Sequence, residues 1–370
     1  MLRFLTAGES HGPGLTAILE GLPPGVEVSV EELAAEQARR RWCYGRGGRA
    51  SIERDEIEIT GGVHNGMTTG APVSVWIPNR DYINWQGLER PLWAPRPGHA
   101  DLAGALKYGF MDARPVAERA SARETAARVA CGYFSKKLLA RNRISVVSWV
   151  ASIGNVDAAL PPLDKRMSDV GVVHSLAAAA LDSPVRCPDP EASQRMMRAI
   201  DEAREAGDTL GGLFETAATG VPAGLGSYVH WDRRLDTAIS AAIMSINGVK
   251  GVEIGEGFGL ARKSGREAHD AICPGPVRES NRAGGIEGGT SNGEVIFVRA
   301  AEKPIPMLGS PLPSVDLRDG TACTAHKERS DVCSVGCAAV IAESMLAFVI
   351  AGAWLERYGH DRPSGLTYSR

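Results

Sequence analysis

The sequence of 370 residues lacks several features that mark particular classes of protein. It contains no long glycine and serine linker, no low-complexity tract and no internal repeat, so it does not resemble a chain of tethered modules or a repeat protein. Its first residues, MLRFLTAGES, have too short an apolar part for a signal peptide. Aromatic residues make up only 6% and the net charge is −3, which weakens a nucleic-acid-binding interpretation.

The cysteines show neither a disulfide nor a metal-binding pattern. There are seven, scattered through the chain, and an odd count without regular spacing indicates reduced thiols and a cytoplasmic location. Cys333 and Cys337 stand four residues apart, but no second pair with zinc-site spacing accompanies them. We therefore expect no metal site.

One long apolar run requires a decision about membranes. Residues 335–355 are apolar and rich in small side chains, but Glu343 and Ser344 lie in the middle of the run. A charged residue at the centre of a bilayer is costly. The pattern favours a buried core helix, with a membrane span as the alternative.

The remaining pattern predicts an α+β fold with mainly antiparallel strands. Helices do not alternate strictly with strands, so a doubly wound parallel sheet is not indicated. Length alone favours two domains only weakly. The predicted strands are RFLTAG, LTAILEG, EIEITG, PVSVWIP, RISVVSWVASIG, GLFETAATGV and EVIFVRAA. The predicted helices are VEELAAEQARRR, SARETAARVACGYFSKKLLA, DTAISAAIMSI and the apolar run. The second of these begins with Ser121 and Glu124 at the spacing of a capping box.

Two histidines lie in short segments crowded with glycine and proline. His11 is in TAGESHGPG and His99 is in PRPGHADLAG, and neither segment has the periodicity of a core element. Glycine allows sharp turns or a close approach to a ligand, and imidazole exchanges protons near neutral pH. Each histidine is a candidate acid or base, although a hydrogen-bonded structural role is equally compatible with the sequence.

Arginine is concentrated between residues 39 and 54, in RRRWCYGRGGRASIER. Guanidinium groups bind phosphates and carboxylates in a bidentate manner, so this run favours a small polyanionic substrate. The alternatives are a solvated basic face and an RGG-like segment that binds nucleic acid. A second anion-binding candidate is the predicted helix start with Arg119 and Arg123, where backbone N–H groups are exposed.

Two further segments are ambiguous. RAGGIEGGTSNG could wrap a cofactor, but it matches neither a P-loop nor a dinucleotide-binding fingerprint. In ERSDVCS, Arg329 precedes Asp331 by two residues, and the carboxylate is either a base or one partner of an ion pair. The residues alone indicate an enzyme acting on a small anionic, phosphorylated substrate. A flavin oxidoreductase and an RNA-binding module remain the alternatives.

A set of longer motifs resembles the chorismate synthase family in order along nearly the whole chain. The resemblance implies the conversion of 5-enolpyruvylshikimate 3-phosphate to chorismate and phosphate, a 1,4-anti elimination that requires reduced FMN without net redox change. It also implies one domain over residues 1–370, a single β-α-β sandwich, and a homotetramer. The motifs are GESHG, YGRGGR, PRPGHAD, RASARETAARVA, GDTLGG, SINGVKGVEIGEGF, NRAGGIEGGTSNG, KPIP, PLPSVDL and ERSDVC.

The resemblance also implies roles for individual residues. His11 matches the histidine that protonates the leaving phosphate, and His99 matches the histidine that keeps the reduced flavin in its protonation state. Asp331 matches the carboxylate that helps to remove the proton that flavin N5 receives from substrate C6. The residues that match the family's substrate-binding arginines are Arg40, Arg46, Arg49 and Arg123.

Cofactor contacts follow from the same resemblance. Arg40 and Arg46 are also associated with a nicotinamide cofactor, so NADPH as a reductant is left open. Met307 stands where many relatives have threonine, which puts one hydroxyl contact to FMN in doubt. The implied FMN contacts are Arg119, Ala120, Ser121, Asn247, Gly248, Gly288, Lys303, Pro304, Ile305, Pro306, Met307 and Arg329.

Overall fold

The computed structural model describes residues 1–47, 56–328 and 331–359. An N-terminal sheet has four antiparallel strands in the order β1-β2-β4-β3. The strands are β1 (Arg3–Gly8), β2 (Gly14–Glu20), β3 (Glu58–Gly61) and β4 (Val73–Pro78). In β4 buried and half-buried residues alternate, as expected for a strand with one face on the core.

A second antiparallel sheet contains five strands in the order β8-β9-β7-β5-β6. They are β5 (Ser145–Ile153), β6 (Val156–Asp157), β7 (Gly212–Thr219), β8 (Val249–Ile254) and β9 (Ile296–Glu302). Four two-stranded hairpins also lie within the described residues: 63–64 with 67–68, 272–273 with 277–278, 286–287 with 290–291, and 313–315 with 322–324.

Helices pack between the two sheets and also on the outer face of the second sheet. The first helices are α1 (Val30–Arg41), α2 (Asp101–Tyr108), α3 (Arg114–Arg119) and α4 (Thr125–Arg141). They are followed by α5 (Leu163–Ser168), α6 (Val170–Leu181), α7 (Pro190–Ala206), α8 (Leu235–Met244), α9 (Gly265–Ala268) and α10 (Val335–Tyr358). Helix α4 packs on β2 and β4, α10 packs on β5 and β7, and α4 and α10 pack on each other. The order is therefore sheet, helices, sheet, which confirms the predicted α+β sandwich.

The central helices touch closely and share one hydrophobic core with both sheets. Gly132 of α4 faces Ser344 of α10, and a Cβ atom on that glycine would lie 2.2 Å from the serine Cβ. The absence of a side chain at Gly132 thus sets how closely the two helices approach. A separate cluster around Trp149 and Phe297 packs between the second sheet and helices α5 and α6.

Helix α10 is the one described helix that is long and apolar enough to cross a membrane, and 83% of its most apolar stretch is buried inside the protein. Its Glu343 is 1% exposed and is matched by cations from other elements. Arg39 binds both carboxylate oxygens at 2.8 and 2.9 Å, Lys136 binds at 2.7 Å and Ser148 donates at 2.7 Å. These contacts explain how a carboxylate is tolerated there, and they favour the predicted core helix.

Local signals explain several helix ends. The Ser29 hydroxyl accepts from the Glu32 N–H and caps α1, and Asp189 caps α7. The predicted capping box at residues 121 and 124 is wrong. Ser121 does accept from the Arg123 N–H, but Glu124 binds Thr6 and Arg128 instead, and a 3-10 turn over Ala122–Glu124 precedes α4.

Candidate active site

His11 lies in the turn between β1 and β2 and is held by a carboxylate from α3. Its Nδ1 is 2.8 Å from Glu118 Oε1, and its backbone N–H donates to Glu118 Oε2 at 2.7 Å. Burial opposes ionisation of Glu118, but hydrogen bonds and charge from His11, together with Arg114, lower the pKa of its carboxyl. An ionised carboxylate only accepts hydrogen bonds, so Nδ1 of His11 is the donor.

The flat face of His11 is also fixed. The imidazole stacks on Trp85, with ring centroids 3.7 Å apart and an angle of 24° between the planes. Trp85 is itself held because its Nε1 donates to Asp81 at 3.2 Å. The turn that carries His11 is tied down by Asn79, whose side chain donates to the carbonyls of Ser10 and Gly12 at 3.1 and 2.9 Å. The orientation of the ring is therefore set from two sides.

His99 has a similar arrangement in the turn before α2. Its Nδ1 is 2.6 Å from Asp101 Oδ1, and Asp101 is fully buried. Arg96 donates to both oxygens of the same carboxylate at 2.6 and 2.8 Å. Burial opposes ionisation of Asp101, but Arg96 and His99 hold its pKa far below the usual range. Nδ1 of His99 is therefore a donor, and Nε2 is the nitrogen that can accept a proton.

The segment 118–123 joins the turn of His11 to the predicted cofactor contacts. Ser10 donates its N–H to the Glu118 carbonyl at 3.1 Å, and the hydroxyls of Ser10 and Ser121 are 3.0 Å apart. Arg119 donates to the Thr6 carbonyl and hydroxyl at 2.9 and 2.8 Å. One short stretch of chain thus places a candidate acid beside a candidate anion-binding side chain.

A cavity of about 510 Å³ opens beside this segment. Arg119, Ala120 and Asn247 line it, together with Arg128. The Asn247 amide donates to the Ala120 carbonyl at 2.9 Å. Its Oδ1 atom is buried and has no hydrogen-bond partner among the residues that the structure describes. The cavity therefore presents a ready acceptor next to cationic side chains.

Asp331 pairs with an arginine from a distant part of the chain. Its Oδ2 is 2.5 Å from Arg46 Nη1, and its Oδ1 accepts from the Gly47 N–H at 2.7 Å. Arg329, which precedes Asp331 by two residues in the sequence, lies outside the described residues. The pairing with Arg46 brings a predicted substrate-binding residue and a predicted catalytic residue together.

Glu302 at the end of β9 is a buried carboxyl near this pair, and sequence reasoning missed it. Ser334 donates to its Oε1 at 2.6 Å, while its Oε2 has no hydrogen-bond partner within the described ranges. Burial, with Cys337 and Asp331 nearby, raises its pKa to about 8. A Cβ atom on Gly248 would lie 3.2 Å from Oε1. Glu302 thus places a neutral carboxylic acid among the predicted site residues at neutral pH.

A buried thiol pair lies next to the same carboxyl. Cys337 shares a hydrogen bond with Cys43, and this contact, helped by Arg46 and Arg40 against the effect of burial, lowers the pKa of Cys337 to about 7. The pKa of Cys43 is correspondingly raised. The sequence predicts only that these cysteines are reduced thiols, and their spacing does not indicate a position beside Arg46.

The segment Lys303–Met307 lies against the turn of His99. The Lys303 ammonium donates to the Gly98 carbonyl, and residues 303–306 line a second cavity of about 240 Å³ together with Arg96 and His326. Met307 is 8% exposed, and its Sδ accepts from the Glu328 N–H at 3.4 Å. The methionine therefore packs inward and supports the loop that leads toward residue 329.

The two histidine regions are connected by an ionic chain. Arg114 lies 3.5 Å from Glu118 and 2.7 Å from Glu328, and His326 is 3.0 Å from Glu328. Against the effect of burial, His326 and Arg114 lower the pKa of Glu328 to about 2. Since His326 lines the second cavity, this chain runs from the His11 carboxylate to the segment beginning at Lys303.

The predicted substrate arginines are distributed unevenly. Arg40 and Arg123 are 3% and 7% exposed, and Arg40 lies near the start of α4 with Nη1 3.5 Å from Thr125 Oγ1. Arg39, from the same basic run, serves the Glu343 network and is structural. Arg49 lies outside the described residues. Among the described residues, the arginines of the basic run therefore have different environments.

Gly288 is placed apart from the other predicted contacts. It lies in the 286–291 hairpin with φ +59°, and a Cβ atom there would meet nothing within 4 Å. None of the described hydrogen bonds or cavities joins it to His11, His99 or Asp331. By contrast, Gly248 accepts from the Lys303 N–H at 2.9 Å and so belongs to the central group.

Comparisons with known proteins agree over almost the full length. The sequence model of the family described as Chorismate synthase matches residues 2–355. The chorismate synthase of Moorella thermoacetica is 52% identical over 374 residues, covering 98% of this chain and 95% of the relative. That of Geobacillus kaustophilus is 50% identical over 377 residues, with the same coverage.

A solved structure gives the same answer for the fold. A crystal structure of chorismate synthase superposes with a TM-score of 0.81 at 42% identity, covering 98% of this chain and 94% of the other. Sequence and fold agree along the whole match, and this chain therefore belongs to the chorismate synthase family.

Proposed function

We propose that His11, His99 and Asp331 are the proton-transfer groups of the reaction that this chain catalyses. The chain is a lyase of the chorismate synthase family. It converts 5-enolpyruvylshikimate 3-phosphate to chorismate and phosphate by a 1,4-anti elimination, the last step of the shikimate pathway to aromatic amino acids. The family requires reduced FMN, although the reaction has no net redox change.

A single observation carries the assignment of the site. The turn with His11 is hydrogen-bonded to the segment 118–123 through Ser10 and Glu118. That segment carries Arg119 and Arg123, the latter almost fully buried. A proton donor and cationic side chains for a phosphorylated substrate are thus built on one rigid unit, as elimination of phosphate requires.

In the proposed mechanism His11 donates a proton to the leaving phosphate. A phosphate dianion is a poorer leaving group than a monoanion, so a positioned acid lowers the barrier. Arginines orient the substrate by charge-assisted hydrogen bonds to its phosphate and carboxylates. The arginines proposed for this role are Arg40, Arg46, Arg49 and Arg123.

The residues at the larger cavity are suited to FMN. Arg119 carries a charge that a phosphate would match, and the buried Asn247 Oδ1 would accept from an N–H of the flavin ring. When bound, reduced FMN supplies electron density to the substrate and recovers it later. The residues proposed to hold it are Arg119, Ala120, Ser121, Asn247, Gly248, Gly288, Lys303, Pro304, Ile305, Pro306, Met307 and Arg329.

His99 and Asp331 have separate proposed tasks. The Nδ1–H of His99 is engaged by Asp101, so its Nε2 is the atom that would hold or release a proton at the flavin. Asp331 would help to remove the proton that originates at substrate C6, and its contacts with Arg46 and Gly47 orient it for that purpose. In this proposal His11 gives up a proton and Asp331 takes one up.

Four further properties are proposed from family membership. They are a homotetrameric assembly, a cytoplasmic location, NADPH as a reductant of the flavin near Arg40 and Arg46, and a single domain over residues 1–370. The shared core of the two sheets and helices supports the single domain. Size measurement of the purified protein and flavin reduction by NADPH test the first and third directly.

The function is tested by an anaerobic assay of phosphate release. The enolpyruvyl substrate is supplied with FMN and dithionite, and chorismate formed per flavin reduced is measured. Many turnovers per reduced flavin are expected because the elimination conserves oxidation state. A ratio fixed near one would instead identify a flavin oxidoreductase.

A further inference from the structure

The carboxylate behind His11 belongs to Glu118 of helix α3. For His11 to act as an acid at neutral pH, the imidazole has to carry a second proton when the substrate is bound. A nearby carboxylate stabilises the charged ring. Glu118 is 9% exposed and contacts the histidine twice, through the ring Nδ1 at 2.8 Å and the backbone N–H at 2.7 Å.

We propose that Glu118 is a positioning residue for the elimination: it holds His11 through Nδ1 in the cationic form, so that Nε2 delivers the proton to the leaving phosphate. This inference rests on the proposed role of His11. The two contacts tie the imidazole ring and the backbone of His11 to one carboxylate. Stacking on Trp85 restricts the tilt of the ring. Because Glu118 only accepts at Nδ1, the tautomer left after transfer is also defined.

The surrounding charges favour this assignment. On the same helix as Glu118, Arg114 could neutralise it, but Arg114 lies 3.5 Å from Glu118 and 2.7 Å from Glu328. Glu328, from the loop packed against α3, takes the closer contact with the arginine and is shared with His326. The negative charge of Glu118 is therefore directed mainly to His11.

Other ionisable groups face the ring through Trp85. Asp81 accepts from the indole at 3.2 Å, and Arg90 lies 4.2 Å from the centroid of the indole ring system. Their charges are opposite and act through the tryptophan, whereas Glu118 touches the imidazole itself. Among the described contacts, the carboxylate of Glu118 is thus the anion that is directly hydrogen-bonded to His11.

The experiment compares the parent with Glu118→Gln and Glu118→Asp under the anaerobic assay. Gln removes the charge at nearly the same size, so kcat is expected to fall by about 10²-fold. KM for the substrate is expected to change much less, and the basic limb of the kcat profile should move to lower pH by about one unit. Asp keeps the charge and should recover a substantial part of kcat. A Gln variant with kcat and pH profile close to the parent overturns the proposal.

A double variant separates positioning from a general structural effect. If Glu118 acts through His11, adding Glu118→Gln to His11→Ala should change kcat by less than about threefold, because the acid is already gone. An additive loss would contradict the proposal even if each single variant is impaired. Glu215→Gln is the matched control, since Glu215 is also buried and bound to an arginine but belongs to the second sheet. It should keep the parent's pH profile, and a shifted profile in this control would count against the specific role of Glu118.

Failure of the function and failure of this inference are distinguishable. A parent enzyme that releases no phosphate, or a His11→Ala variant with full turnover, contradicts the proposed function itself. If the parent turns over, the His11→Ala variant does not and the Glu118→Gln variant is unaffected, only the proposed role of Glu118 is contradicted. If the Gln variant fails to fold, the Asp variant decides: a parent-like pH profile with most of kcat supports the proposal, and loss of kcat in the folded Asp variant with an unmoved profile overturns it.

Discussion

Replacing Glu302 by glutamine should change the pH dependence of folding stability. In the folded protein the pKa of this carboxyl is raised to about 8, mainly by burial, compared with an ordinary value of 4.5. Between these two values the folded state keeps a proton that the unfolded chain has released. Stability contributed by this group is therefore present at low pH and lost as pH rises.

The loss of unfolding free energy can be calculated from the difference between the two pKa values. Each pH unit between 4.5 and about 8 lowers the free energy of unfolding by about 1.4 kcal/mol, which accumulates to roughly 5 kcal/mol by pH 8. This is an upper estimate, because water or a local rearrangement could reach Oε2 once the group ionises. Glutamine keeps an acceptor for Ser334 and has no charge to bury, so it should not show this loss.

The assay is urea unfolding of the parent and Glu302→Gln at pH 5.5, 7.0 and 8.5, at one protein concentration. The variant is expected to be more stable than the parent at pH 8.5, and the gap should shrink steadily toward pH 5.5. Glu356→Gln is the control, since Glu356 has a side chain that is 62% exposed and should follow the parent. Equal slopes for the parent and Glu302→Gln would refute the reasoning.

The other predictions concern packing, charge burial and catalysis. Glu343→Ala leaves the half-buried Arg39 and Lys136 without their shared buried partner and should cost about 3 kcal/mol of unfolding free energy, whereas Glu356→Ala should cost little. Gly132→Ala forces a Cβ to within 2.2 Å of Ser344 Cβ and should cost about 1–3 kcal/mol; an unchanged Tm would contradict the close helix contact. Asp331→Asn should lower kcat by about 10²–10⁴-fold with a small change in substrate affinity, and a parent-like kcat would remove it from the mechanism.

Most of the sheet framework was predictable because alternating or continuous apolar runs determine strands locally. The strands predicted at RFLTAG and PVSVWIP match β1 and β4. The strand β8 was not predicted, since VKGVEI is interrupted by glycine and charge and looks like a turn. It forms because β9 supplies its hydrogen bonds, with a register shift between Val249 and Gly251.

Within the proposed site, sequence reasoning pointed to the candidate proton-transfer groups but not to the residues that hold them. His11 and His99 stood out because glycine surrounds them. The Asp101 partner of His99 is two residues away and was visible beside it. Glu118 is 107 residues from His11, so only the fold brings the two together. Likewise, Asp331 pairs with Arg46, which is 285 residues away, and only the fold brings these two side chains together.

Buried charges were the least predictable feature. Glu302 looks like the polar end of a strand, and its unusual state depends on Ser334 and on the close approach of Gly248. Glu343 looked like a reason to reject a membrane span, and the structure gives it a physical basis in cations from α1 and α4. Such networks depend on three or more segments and leave no periodic signal in any one of them.

The position of α10 in the chain has a consequence for synthesis on the ribosome. The helix covers β5 and β7, yet it follows both sheets in sequence. At about 5–20 residues per second, roughly 10–40 s separate the emergence of β5 from that of residue 355. During this interval the strands β5 and β7 emerge without the helix α10 that covers them in the folded protein. The nascent chain therefore presents an apolar surface to its surroundings, and recruitment of chaperones before release should increase the yield of folded enzyme.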